Sequence, residues 1–112
     1  MNSSRYIPKK NKINFKKNLK TGKKFKVKGI DVVIVENKNI LSSKSGVIIS
    51  KKISNLATVR NKYRRRLKEV FRLDFKSLKS KEIIFLANKK ILDLDFNVIR
   101  EELSSIKKHI AK

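Results

Sequence analysis

The chain has 112 residues, 39% of them hydrophobic, enough for one compact domain with a small core. Thirty-one Lys and Arg against nine Asp and Glu leave a formal charge of +22, a self-repulsion that a polyanion such as nucleic acid would relieve. There is no Cys, so disulfides and thiolate metal sites are excluded; a single His leaves nothing for a multi-ligand zinc centre, and no apolar run reaches the length of a membrane span.

A basic N-terminus without an apolar centre or a small-residue cleavage site does not read as a signal peptide, and the expected setting is the reducing cytoplasm without membrane attachment. Residues 1–10 are expected to form a flexible basic arm and residues 11–112 a single domain. Residues 1–30 hold eleven Lys or Arg and no acid, whereas 81–112 hold seven basic and five acidic residues, which puts phosphate contact in the N-terminal half.

In chain order, a short helix is expected near 11–21, with Phe15 and Leu19 at i, i+4 among lysines and Thr21-Gly22 ending it. Three β-branched runs follow as strands at 24–28, 30–36 and 46–50, the last two joined by a turn-rich connection. A long helix is expected from about 56 to 79, with Asn55 or Thr58 as its N-cap and Tyr63, Leu67, Val70, Phe71 and Leu78 as its apolar face. The continuous apolar run "EIIFLA" at 82–87 predicts a central strand buried on both faces. A closing helix carries Phe96, Ile99, Leu103, Ile106 and Ile110 at alternating steps of three and four, capped by Asp93 or Asp95. The order α-β-β-β-α-β-α argues for an α+β sandwich with helices mainly on one face of a sheet.

The chemistry concentrates in "TVRNKYRRRLKEVFR" at 58–72. Arg60, Arg64 and Lys68 form one helical row and Asn61, Arg65, Lys68 and Arg72 an adjacent one, a basic stripe roughly 18 Å long that can touch several phosphates. Charge runs ordinarily lie on solvated faces, but those mix both signs; here seven basic residues accompany one acid, and like charges at i, i+4 repel in a lone helix. Glu69 can pair with Arg65 or Arg72. Lys51 and Lys52 close the preceding strand, where they are either solubilising residues or further phosphate contacts. Phe25 reads as core from its spacing, and Phe15 as either core or a stacking surface for an unpaired base.

No Ser/His/Asp or Cys/His set can be assembled around His109, which reads as an exposed helix-end side chain, and no glycine-rich phosphate loop exists. The scattered acids suit helix caps better than a two-metal site. A nucleic-acid binder without chemistry of its own is therefore expected. A ribosomal or other structural RNA-binding protein fits as an alternative; a helix-turn-helix reader of duplex DNA lacks its short partner helix.

The stretch "SKKISNLATVRNKYRRRLKEVFR" resembles the signature of the protein subunit (C5-type) of bacterial ribonuclease P, in which a strand ending in Ser-Lys-Lys precedes an R-N-x-x-[KR]-R-x-x-[RK]-E helix. Arg60, Asn61, Arg64, Arg65, Lys68 and Glu69 fall on that motif, and "NFKKNLKTGKKFKVKG", "KEIIFLA" and residues 95–111 resemble the family's other elements. Leu19 stands where the family often carries a second aromatic, and Ser54 where Gly is common. The resemblance implies a two-layer α/β sandwich of the ribosomal-protein-S5-domain-2-like type, with a left-handed βαβ crossover. It implies a ribonuclease P protein component, an endoribonuclease accessory subunit that binds the catalytic RNA and the 5′ leader of precursor tRNA, monomeric in a 1:1 ribonucleoprotein, with Mg²⁺ used by the RNA. Arg60, Asn61, Lys62, Arg64, Arg65, Arg66, Lys68 and Arg72 would face the catalytic RNA. Phe15, Leu19, Lys51 and Lys52 would line the leader cleft.

Overall fold

The structure, a computed structural model, describes residues 13–110; the arm expected over 1–10 and the domain boundary beside it lie outside the described residues. The elements are α1 (Phe15–Thr21), β1 (Lys23–Val27), β2 (Ile30–Glu36), β3 (Lys44–Ile49), α2 (Ala57–Val70) continued by one π turn (Phe71–Phe75), β4 (Lys81–Ala87), a 3-10 turn (Lys89–Asp93) and α3 (Phe96–Ile110). The strands form one sheet in the order β1-β2-β4-β3. β2 pairs antiparallel with both β1 and β4, and β3 pairs parallel with β4 through the α2 crossover.

β4 is central, as its unbroken apolar run predicts. Ile83, Ile84 and Phe85 have no exposed surface, because β4 is flanked by strands on both edges and covered on both faces. One face carries Ile30, Val32, Ile34, Ile83 and Phe85 into a core closed by Tyr63, Leu67 and Val70 of α2 and by Ile99, Leu103 and Ile106 of α3. Side-chain alternation sends Asp31, Val33, Val35, Glu82 and Ile84 to the other face, where α1 packs. The α+β sandwich is thus built from the sheet with α2 and α3, and α1 covers part of the opposite side.

Several boundaries differ from expectation for local reasons. The first helix begins at Phe15 rather than near 11, because the Asn14 side chain caps it by accepting from Lys17 N at 3.0 Å. Neither Asn55 nor Thr58 caps α2; the N-cap position is Leu56, which has no side-chain acceptor. The long helix does not run to Lys79. It passes at Phe71 into a π turn, with Lys76 N donating to Phe71 O at 2.9 Å, and the chain then turns through Ser80 at φ 60°. The wider turn slows the rotation about the axis, so Phe71 and Phe75 both stay over the core, and Phe75 meets Phe85 edge to face at 5.7 Å. The 3-10 turn, unanticipated, buries Ile91 and is capped by Asn88. Of the two acids before α3, Asp95 is the cap, accepting from Val98 N at 2.9 Å.

At Gly29 the β1–β2 hairpin requires glycine twice over. Its φ is +82°, and a Cβ would lie 3.0 Å from the Ile91 backbone. Asp74 in the π turn receives two hydrogen bonds from Arg100 of α3, at 2.7 and 2.9 Å, joining the end of the crossover to the closing helix. Those bonds hold the Asp74 carboxyl below its usual range. A depressed folded value stabilises the protein above the unfolded carboxylate range and ceases to do so as pH falls through the folded value. The stability gap between the native chain and Asp74→Asn, read from urea midpoints, is therefore expected at neutral pH and should close on acidification; a gap independent of pH would assign it to packing instead.

Candidate nucleic-acid interface

α2 leaves the turn after β3 with its apolar face fixed against the sheet, so every other position around it is available to charge. Arg65 and Lys68 are exposed, and among the described residues their side chains make no hydrogen bond or ion pair. Arg60 and Arg64 are half-buried along one rim of the apolar face. Arg60 Nη1 donates to Ser54 O at 2.8 Å, fastening the helix to its entry loop. Arg64 Nη1 donates to Asn61 Oδ1 at 2.7 Å, so the Asn61 amide NH₂ remains the free end of that side chain. On the other rim, Lys62 and Arg66 lie 5.8 and 5.3 Å from the centroid of the buried Tyr63 ring, within cation–π range.

Glu69 selects Arg72 rather than Arg65. Arg72 Nε and Nη2 reach its two oxygens at 2.8 and 2.7 Å, and this bidentate bond lowers the Glu69 pKa. Arg65 is left as the guanidinium on the side away from the sheet. The basic residues divide accordingly: Arg60, Arg64 and Arg72 are held by neighbours in set orientations, while Arg65 and Lys68 are open.

Phe15 and Leu19 project from α1 toward the opposite face of the sheet. Phe15 lies over Gly46 of β3, where a Cβ would stand 2.5 Å from its ring carbons. Leu19 lines a hollow of about 290 Å³ together with Lys24, Lys26, Asp31, Val33 and Leu86. Of the four residues expected in the leader cleft only Leu19 lines this hollow; Phe15, over β3, stands outside it, although both belong to α1, on the side of the sheet opposite the basic helix. Lys51 and Lys52 are exposed in the turn after β3 and do not line the hollow. Lys24, Lys26, Asp31 and Leu86 were not foreseen in it, although Lys-x-Lys in β1 and a lone acid in the apolar strand IDVVIVE were visible signals.

α1 is anchored by a buried carboxylate. Asn18 is 3% exposed, and its Nδ2 donates to Glu82 Oε1 at 2.6 Å, while Asn37 Nδ2 donates to Glu82 Oε2 at 2.9 Å. Two amides thus satisfy a charge that would be costly if left bare. Asn18 thereby ties α1 to β4, which sets the spacing between Leu19 and the sheet. Among the described residues no group of three His, Cys, Asp or Glu could hold a metal ion, and no helix is long and apolar enough to cross a membrane.

The family model described as Ribonuclease P matches residues 8–111. The ribonuclease P protein component of Rickettsia bellii is 39% identical over 103 residues, covering 85% of this chain and 86% of that one. That of Clostridioides difficile is 34% identical over 97 residues, with 85% and 83% covered. Among solved structures, the Staphylococcus aureus RNase P protein superposes with a TM-score of 0.77 at 30% identity over 90% of this chain and 93% of that one. The Thermotoga maritima RNase P protein gives 0.74 at 28% identity, over 83% and 87%.

Gly46→Ala should lift Phe15 from the sheet and loosen α1 alone. Amide hydrogen exchange is expected to accelerate across residues 15–21 with α2 and α3 unchanged, and unaltered protection of α1 would mean that the ring rotates aside without cost.

Proposed function

This chain belongs to the ribonuclease P protein family, and from that footing we propose how its two faces divide the work of maturing tRNA 5′ ends. It is a protein component of ribonuclease P, and its partner is ribonuclease P RNA. In our reading the α2 face, Arg60 through Arg72, lies on the catalytic RNA, and the hollow beneath α1 takes the single-stranded 5′ leader of precursor tRNA. The observation that carries this is the exposure of Arg65 and Lys68, unpaired among the described residues, beside arginines already oriented by Ser54, Asn61 and Glu69. Fixed guanidinium forks lose little entropy on meeting phosphate, and open ones add the counterion release that drives binding.

The α1 hollow offers what a single strand needs. Lys24 and Lys26 supply phosphate contacts, and Val33 and Leu86 give an apolar floor; Phe15, 38% exposed over Gly46 of β3 and outside the lining of the hollow, presents an aromatic face beside it. Leu19 can pack against a base but cannot stack as an aromatic would. Lys51 and Lys52, outside the hollow, would meet backbone phosphate along the path between the two faces.

The hydrolysis belongs to the RNA. Mg²⁺ would serve the RNA active site. The protein's contribution is to neutralise phosphate charge and hold the leader, as one copy per RNA in the cytoplasm.

Reconstitution tests the reading. Added to ribonuclease P RNA at low Mg²⁺, the protein should enhance leader removal from precursor tRNA; no enhancement across a range of Mg²⁺ and salt would leave a purely structural RNA binder. Arg65→Ala should weaken binding to the catalytic RNA and reduce the salt slope of log K by about one, whereas an unchanged slope would place Arg65 off the phosphate backbone. Phe15→Ala should lower leader affinity and spare the catalytic RNA contact; equal loss of both would make Phe15 a purely structural residue.

A further inference from the structure

We propose that Phe25 and His109 form a second stacking site for an unpaired nucleobase, across the edge of the sheet from the α1 hollow. The inference rests on the leader reading above and extends the strand's path by one site. β1 is the outermost strand, so only its width separates the two sides of the sheet there. Phe25 lines the α1 hollow, and it also lines a separate hollow of about 290 Å³ floored by Ile34 and Ile110. An RNA strand leaving the first hollow past β1 therefore reaches the second without crossing folded structure.

The second hollow has the parts that stacking uses. The rings of Phe25 and His109 are nearly parallel, 19° apart in tilt with centroids at 6.4 Å. Phe25 is half-buried and backs the pair, while His109, on the last turn of α3, is exposed. Lys23 Nζ lies 5.9 Å from the Phe25 centroid, where it also offers a phosphate contact. At the rim the Glu36 carboxylate, which would repel phosphate, is paired with Lys81 Nζ at 3.3 Å. An exposed flat ring backed by a second one gives any base a π face.

Because the chain has one histidine, its ring protons report on the site without ambiguity. The full-length protein is titrated by NMR with single-stranded RNA of roughly four and roughly ten nucleotides, lengths that bracket one and two stacking sites. The longer RNA should shift the His109 ring signals and the shorter should not. His109→Gln, at an exposed position, should weaken the longer RNA by about fivefold or more, the lower end of what one stacked base contributes, and leave the shorter unchanged. His109→Phe should restore the affinity. Unmoved ring signals, a Gln variant that binds the longer RNA normally, or a Phe variant as weak as Gln would each overturn the proposal. If Lys26→Ala, in the lining of the first hollow, leaves the short RNA unaffected while the His109 signals still move, the leader hollow fails and this site stands alone.

Discussion

The two-sided burial of β4 is the constraint on which the rest of the molecule depends. A strand with Ile83, Ile84 and Phe85 all out of water needs cover above and below. In a chain this short, the cover comes from α2 and α3 on one side and from α1 on the other. That division gives the protein two differently built faces. The helix with the arginines is held by the core that β4 anchors, and the hollow opposite has Leu86 of the same strand in its wall. The core is small, so each large side chain in it matters, and the π turn that keeps Phe71 and Phe75 inward is part of that economy.

Charge is managed by a second constraint. A domain at +22 has too few acids to neutralise its cations, and the structure places several of those acids at points of leverage. Glu69 orients Arg72, Asp74 joins the crossover to α3 through Arg100, Glu82 anchors α1 through Asn18, and Asp95 caps α3. Each carboxylate fixes a geometry while most of the positive charge stays at the surface. Exposed pairs such as Glu69 with Arg72 contribute little to stability, so orientation is their larger effect.

Much of this was legible in the residues, and the exceptions have physical causes. "EIIFLA" announces a central strand because burial on both faces removes alternation, and the three-four spacing of Phe96 to Ile110 can only be one helix face. Phe71 and Phe75 also keep helical spacing, so a π turn there looks like continued helix until Lys76 N is seen to bond Phe71 O. The start of α1 at Phe15 follows from Asn14, a strong capping residue within the lysine-rich run. On α2 the positions of the basic side chains follow from the helical period, but their division into held and open depends on Ser54, Asn61 and Glu69. The α1 hollow was the least legible part, because Asp31, Val33 and Leu86 reach it from strands far apart in sequence. Membership of the ribonuclease P protein family was carried mainly by the α2 segment, where residue order itself is distinctive.

β1 has one further consequence. Among the described residues it is an edge strand, with backbone groups along one side that no neighbouring strand pairs, the arrangement by which sheets of separate molecules join. Lys23, Lys24 and Lys26 stand along it, so two such edges repel before they can pair. The same lysines thus also act as gatekeepers, setting like charge against like wherever two such edges approach.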